Sequence, residues 1–430
     1  MPNSTQRTIG LFGALAIGIG GMVGGGIFAV LGEAVSMAHG ATPLAFLAAG
    51  IVALLTAYAY SKLSVAYQSS GGSIVFIDNA FNHSLFSGSM NVVLWLSYLV
   101  TIALYAVAFG SYALTFFEAP TDPFLKHILI SIAIIFPGII NLLSASIVSR
   151  SETIIVVIKL LLMGVVIVVG MPYVETQRLS IEHWEAPLSI VSAGMMIFVA
   201  YEGFELIANA AKEIKEPQKN LPRAFFGAVI FVIFLYILIS IITVGGVDEK
   251  SLLVAKDYAL AVAAEPALGK VGFTLVAIAA LLATFSAINA TIFGNARLSF
   301  SLALEGELPL FDKKESLNPK MGVLSTIGLS LLLANLIDLN AIAIIGSASF
   351  LLIFSMVNLS AYLLHEKVGG HRWIYLIAFL VTLASLVTLL VHTWSSDISA
   401  LIIFVCFLSI AVIFELTYGH YYRKKFTTKR

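Results

Sequence analysis

The sequence predicts an all-α membrane protein with many spans. Three observations predict it: a charge-poor composition, long unbroken apolar runs, and basic residues gathered on one side of those runs. Of 430 residues, 59% are hydrophobic and 11% are charged, with mean hydropathy +0.99. A soluble domain carries about 25% charge. Too few charges remain to solvate a globular surface of this size, so the bilayer is the solvent. In hydrocarbon the backbone must satisfy its own hydrogen bonds, which leaves helices or a closed barrel. The apolar runs are continuous rather than alternating, and that selects helices.

A span needs roughly 20 apolar residues. Twelve such segments fall near 10–34, 42–66, 86–117, 126–148, 152–172, 188–211, 223–246, 271–303, 321–337, 340–364, 372–394 and 397–419. The eighth is long and extends past the membrane, since Arg297 lies in its last third. With the N-terminus in the cytoplasm, only Lys126, Arg178, Lys250, Lys256 and Lys270 fall outside, and Lys159 belongs to neither side. The rest of the 24 lysines and arginines fall inside, in clusters such as Lys212, Lys215, Lys219 and Arg223, or Arg423, Lys424 and Lys425. The positive-inside rule thus orients the chain, with both termini cytoplasmic. The longest outside segment, 247–269, holds an apolar-periodic stretch around Leu252–Leu268, read as a short helix on the extracellular face. The N-terminus runs into the first segment without a small-residue cleavage site, so that segment is expected to be retained.

Composition also excludes. Net charge is zero, which argues against nucleic acid and against a polybasic lipid reader. The lone Cys406 can form neither an intrachain disulfide nor a multi-cysteine metal site. No histidine pair stands at metal-ligand spacing inside a span. The sequence contains no P-loop and no nucleophile elbow. No cofactor and no obligate protein partner is expected.

Four intramembrane features remain. Five of the seven residues from Gly20 to Gly26 are glycine, each costing about 1 kcal/mol in a helix. Close helix packing is one reading. These glycines wrap around the axis, however, and a broken helix lining a cavity accounts for that. In segment 6, Glu202 and Glu205 flank Gly203. Intramembrane carboxylates are costly and mark function unless they sit near a helix end. Interrupted segments in matching positions of two halves point to a midplane transport site. Lys159 lies nine residues into segment 5 from Arg150, roughly 13 Å deep. An ammonium there costs about 3 kcal/mol, and burial disfavours the charged form. Such a lysine can exchange its proton; snorkelling to the inner interface is the alternative. Segment 8 carries Thr284, Ser286, Asn289 and Thr291. Ser286 and Asn289 share a face, either for packing or for a site.

Together these motifs resemble the amino acid–polyamine–organocation (APC) superfamily over nearly the whole chain. Gly24-Gly25-Gly26-Ile27-Phe28 is similar to its G-x-G-I-F signature. Glu216-Pro217-Gln218-Lys219-Asn220-Leu221-Pro222-Arg223-Ala224 follows its cytoplasmic pattern, with Glu216 where asparagine is common. Leu302-Ala303-Leu304-Glu305-Gly306-Glu307-Leu308-Pro309 and Asn318-Pro319-Lys320 also fit. Within the superfamily the chain most resembles the proton-coupled, ApcT-type amino acid transporters. These carry a lysine on helix 5 where relatives bind sodium, and Lys159 matches that position.

The resemblance implies the LeuT fold: two inverted five-helix repeats, about 10–172 and 188–364, plus two extra helices, about 372–419. It implies that a substrate α-carboxylate meets the amides of Gly25 and Gly26. The α-amino group would meet carbonyls of Met22, Phe198 and Glu202. Gly24, Val199, Tyr201 and Gly203 complete the implied substrate-binding set, and helix 3 would add Trp95, Tyr98 and Tyr105. Half-helix ends suit these roles independently, amides for anions and carbonyls for cations.

The expected activity is proton-coupled amino acid symport across the cell membrane, with no sodium. Protonated Lys159 is expected to bridge to the Gly20 carbonyl and to Ser286. Glu205 fits the wider family, although lysine-type members need not have it, and is grouped with Lys159, Gly20 and Ser286 as proton-coupling. Glu202 fills a slot often apolar in relatives, either as an acid favouring cationic side chains or as a second proton site. Exchange, polyamine carriage and amino acid sensing stay open as alternatives. A sensor is expected to add a long soluble tail, and this chain ends about a dozen residues after segment 12. A Schiff-base enzyme would need a cofactor site, and none is visible.

Overall fold

The computed structural model describes residues 7–117, 122–143, 145–304 and 319–419. Motif residues Glu305 to Pro309 and Asn318, with Lys313, Lys314, Arg423, Lys424 and Lys425, lie outside the described residues. What is described is helical, apart from turns and two isolated β-bridges.

The first apolar segment is two helices, α1 (Leu11–Met22) and α2 (Gly26–Ala38), bent by 46° at the glycines between them. Then follow α3 (Thr42–Ala66), a short α4 (Ser73–Phe81), α5 (Leu85–Leu114), α6 (Pro123–Leu143) and α7 (Ala145–Gly170). The sixth apolar segment is also interrupted. Helix α8 (Pro187–Met196) tightens into a 3-10 stretch, Ile197–Tyr201, turns through 202–205, and resumes as α9 (Leu206–Asn209). Helix α10 spans Pro217–Gly246. Short α11 (Glu249–Val254) and α12 (Ala259–Ala263) precede α13 (Glu265–Leu304), which kinks at Gly269. The chain continues as α14 (Pro319–Leu336), α15 (Leu339–Leu363), one-turn α16 (His365–Val368), α17 (Arg372–Ser396) and α18 (Ile398–Phe414).

Local chemistry sets many boundaries. Helices α8 and α10 start at a proline, whose missing N–H is one a helix start leaves unpaired. Asp248, Asp338 and Asp397 cap α11, α15 and α18, each accepting a backbone N–H three residues on at 3.0 Å. Ser84 caps α5 in the same way.

Ten described helices are long and apolar enough to cross a membrane, or eleven if the bent pair is one span. The chain is therefore a multi-pass membrane protein. The ninth expected segment is an apolar helix too short for that count, Lys320–Leu336. The expected helix over Leu252–Leu268 is not one helix. It breaks at a 3-10 turn, Lys256–Tyr258, because two charged side chains there are held elsewhere. Lys256 pairs with Glu33 at 2.7 Å, and Asp257 pairs with Lys126 at 2.8 Å.

Helices α5 and α15 and the α8–α9 segment are buried around most of their circumference. They form the middle of the bundle. Helices α6, α17 and α18 present broad apolar faces outward, the lipid-facing pattern. Helix α10 packs along α3 and α1, and α13 along α5 and α7. The two interrupted segments therefore meet inside a ring of continuous helices.

Candidate functional site

The site begins with two backbones in contact. A Cβ built on Gly21 would lie 2.7 Å from the Gly203 carbonyl oxygen, and one on Gly26 would lie 2.8 Å from the Ala200 Cα. Only glycine allows this approach. Gly203 also has φ +106°, a conformation that side chains rarely adopt. The α1–α2 break and the α8–α9 break thus lie against each other.

Neither break completes its own hydrogen bonding. The first amides of α2 have no partner within their helix, and no side chain caps the Gly25 end. Neighbouring helices supply part of what is missing. On α10, the Tyr236 hydroxyl lies 2.7 Å from the Met22 carbonyl and 3.1 Å from the Ala200 carbonyl, so one donor serves both breaks. On α15, the Ser347 hydroxyl accepts from Val199 N at 2.9 Å and donates to the Met196 carbonyl. The Tyr201 hydroxyl donates to the Phe46 carbonyl of α3 at 2.8 Å.

Both carboxylates are buried beside the breaks. Glu205 accepts from Gly203 N at 2.6 Å and from the Tyr98 hydroxyl at 3.1 Å. Glu202 accepts from the Thr101 hydroxyl at 2.8 Å. Hydroxyl and amide donors, not a cation, make these contacts. Tyr105 packs its ring directly on Gly25. On the opposite side, Lys159 of α7 is 3% exposed and donates to the Gly20 carbonyl at 3.1 Å.

Of the residues singled out by sequence, Gly20, Met22, Gly24, Gly25, Gly26, Phe198, Val199, Tyr201, Glu202, Gly203 and Glu205 gather at the paired breaks. Lys159 reaches this group through Gly20. Ser286 is buried on α13, and its neighbour Ala287 packs against Gly24. The Met22 carbonyl accepts from Tyr236, and the Tyr201 hydroxyl bonds to α3. Sequence reasoning missed Tyr236, Thr101 and Ser347. Among the described residues no cluster of histidine, cysteine, aspartate and glutamate could hold a metal.

Tyr236 gives a direct test of how the breaks are held. Tyr236→Phe leaves two buried carbonyls short of a donor, a loss of about 1–3 kcal/mol. The expected result is a lower melting temperature in detergent. An unchanged value would mean that the hydroxyl bridges nothing of consequence.

A bundle of apolar helices around two facing backbone breaks fits a membrane transporter. The profile of the "Amino acid permease" family matches residues 9–426, and the chain belongs to that family. It is 34% identical over 424 residues to an uncharacterized protein of Methanocaldococcus jannaschii, covering 98% of each chain. It is also 34% identical over 407 residues to Inner membrane transport protein YbaT of Escherichia coli, covering 93% of this chain and 94% of that one. With Serine/threonine exchanger SteT of Bacillus subtilis it shares 22% identity over 385 residues, 87% of this chain and 86% of the other. Amino acid transport across a membrane follows from the family.

Proposed function

We propose that the chain is a proton-coupled amino acid symporter of the ApcT type, working by alternating access in the cell membrane with both termini cytoplasmic. Its helices are arranged as in the LeuT fold, with inverted repeats over about 10–172 and 188–364 and two further helices over about 372–419. The single observation that carries this reading is the 3.1 Å bond from Lys159 Nζ to the Gly20 carbonyl. A buried lysine there can act as a built-in cation, so sodium is not required.

The substrate is an amino acid, held at the breaks by its backbone groups. Its carboxylate lies against the amides of Gly25 and Gly26, with Gly24 beside them. Its ammonium lies against the Met22, Phe198 and Glu202 carbonyls, within the turn that Val199, Tyr201 and Gly203 shape. Loss of the Lys159 proton releases α1 and lets the inner gate move. Ser286 is a second partner for the lysine. Glu205 belongs to the same proton-coupling group through its bond to Gly203 N.

The test is uptake of labelled amino acids into proteoliposomes with and without a pH gradient. Gradient-dependent uptake in sodium-free buffer is expected. Sodium-dependent uptake that ignores the gradient sinks the proposal. The resemblance to a serine/threonine exchanger supports a second reading, obligatory exchange. Uptake that requires substrate inside the vesicles and no gradient would decide for exchange.

A further inference from the structure

The two acids beside the breaks are not equivalent. Glu205 is satisfied by the protein at both oxygens: Tyr98 donates to Oε1 and Gly203 N to Oε2. Glu202 is satisfied at one. Thr101 donates to its Oε2, and among the described residues nothing donates to Oε1. The residue is 5% exposed, yet Oε1 is not closed off by its neighbours. Among the described residues neither acid makes an ion pair. A carboxylate at membrane depth is costly unless a cation or several donors complete it. One hydroxyl and one open oxygen leave Glu202 short of a partner, and a cationic donor is the group that fits.

Helix α5 sets the distance at which that donor must arrive. Tyr98, Thr101 and Tyr105 follow one another at three and four residues, so one face of α5 presents all three. Tyr98 meets Glu205, Thr101 meets Glu202, and Tyr105 meets Gly25. Thr101 and Tyr105 are one turn apart, which sets the Glu202 carboxylate roughly 6 Å along the bundle from the Gly25 amide. With an α-carboxylate on that amide, a hydroxyl on the first side-chain carbon stops short of Glu202. An extended chain of three or four carbons covers about 5–6 Å at bonds of about 1.5 Å, and brings a terminal cation to Oε1.

We propose that the Glu202 side chain makes this protein selective for dibasic α-amino acids, those whose side chain ends in an ammonium or a guanidinium. The side-chain cation takes Oε1, while Thr101 holds Oε2 and so fixes the carboxylate's aim. Glu205, complete without a ligand, has no part in this selection. The inference rests on the reading of the paired breaks as an amino acid site.

Equilibrium binding to the full-length protein in detergent tests it, with L-lysine, L-ornithine and L-norleucine as probes. Norleucine has the length of lysine without the charge. Wild type is expected to bind L-lysine at least about tenfold tighter than L-norleucine, as a hydrogen bond to a charged partner provides. Glu202→Gln keeps the shape and an acceptor for Thr101 but removes the charge, and the ratio should fall to near one. Glu202→Asp keeps the charge one carbon further back. Its preference for L-lysine over the shorter L-ornithine should rise above that of wild type, a shift that mere loss of folding cannot produce. Wild type that binds L-norleucine as tightly as L-lysine overturns this inference and leaves the transporter reading intact. So does Glu202→Gln that weakens both ligands equally, since the carboxylate then serves the α-ammonium common to all amino acids. If none of the standard amino acids binds, the transporter reading fails and the selectivity fails with it.

Discussion

Uptake driven by an inward proton gradient is expected to fall to its no-gradient level when Lys159 is replaced by methionine. A gradient of one pH unit is worth about 1.4 kcal/mol per proton, so one-proton coupling supports about tenfold accumulation. Lys159→Met removes a bond that joins α7 to the Gly20 carbonyl through an exchangeable proton. The fold should tolerate the change. Removing a buried ammonium relieves an insertion cost of about 3 kcal/mol, and the lost bond is worth about 1–2 kcal/mol. The melting temperature should therefore stay close to wild type while accumulation disappears. Lys159→Arg separates a titrating group from a fixed one. Arginine keeps the charge but does not release it. Gradient-driven uptake should be lost there too. If either variant still accumulates substrate, Lys159 is not the coupling group.

Much of the fold was legible because long apolar runs leave few alternatives. The glycines from Gly20 to Gly26 announce an interruption, since a helix gains nothing from so many. One lysine in a run such as Ile158-Lys159-Leu160 must find an acceptor, and a glycine break exposes carbonyls. Tyr236 carried no such mark. It stands among Phe234, Leu235 and Ile237, where an aromatic residue is ordinary packing, and its partner Met22 lies 214 positions away. Thr101 and Ser347 were hidden likewise, because a hydroxyl in a membrane helix commonly bonds its own preceding turn. The Glu33–Lys256 pair was illegible for a different reason. The stretch Leu252–Leu268 reads as one apolar-periodic helix, and the 3-10 turn that interrupts it coincides with the tertiary pairing of Lys256 and Asp257. Pattern reports what each segment prefers alone; these contacts are set by what the bundle places beside it.

Gly25→Ala is expected to abolish amino acid binding at the breaks. The added Cβ would lie 2.3 Å from Cδ1 and 2.6 Å from Cγ of Tyr105. Contacts this short do not persist, so either the ring or the α2 amides must move. The ring is 3% exposed and hemmed in by α5's neighbours, and overpacking of this kind costs about 1–3 kcal/mol. Displaced amides no longer converge on one anion position, and a carboxylate loses charge-assisted bonds worth about 1.5–3 kcal/mol each. Together these predict at least a tenfold weaker affinity at that site. Gly164→Ala is the control: nothing lies within 4 Å of its added Cβ, and the change should leave binding alone. Tyr105→Ala in the Gly25→Ala background distinguishes cause from coincidence. If crowding displaces the amides, removing the ring restores part of the affinity. If binding at the breaks survives in Gly25→Ala itself, the α2 amides do not hold the carboxylate, and the substrate must be read by some other part of the two interruptions.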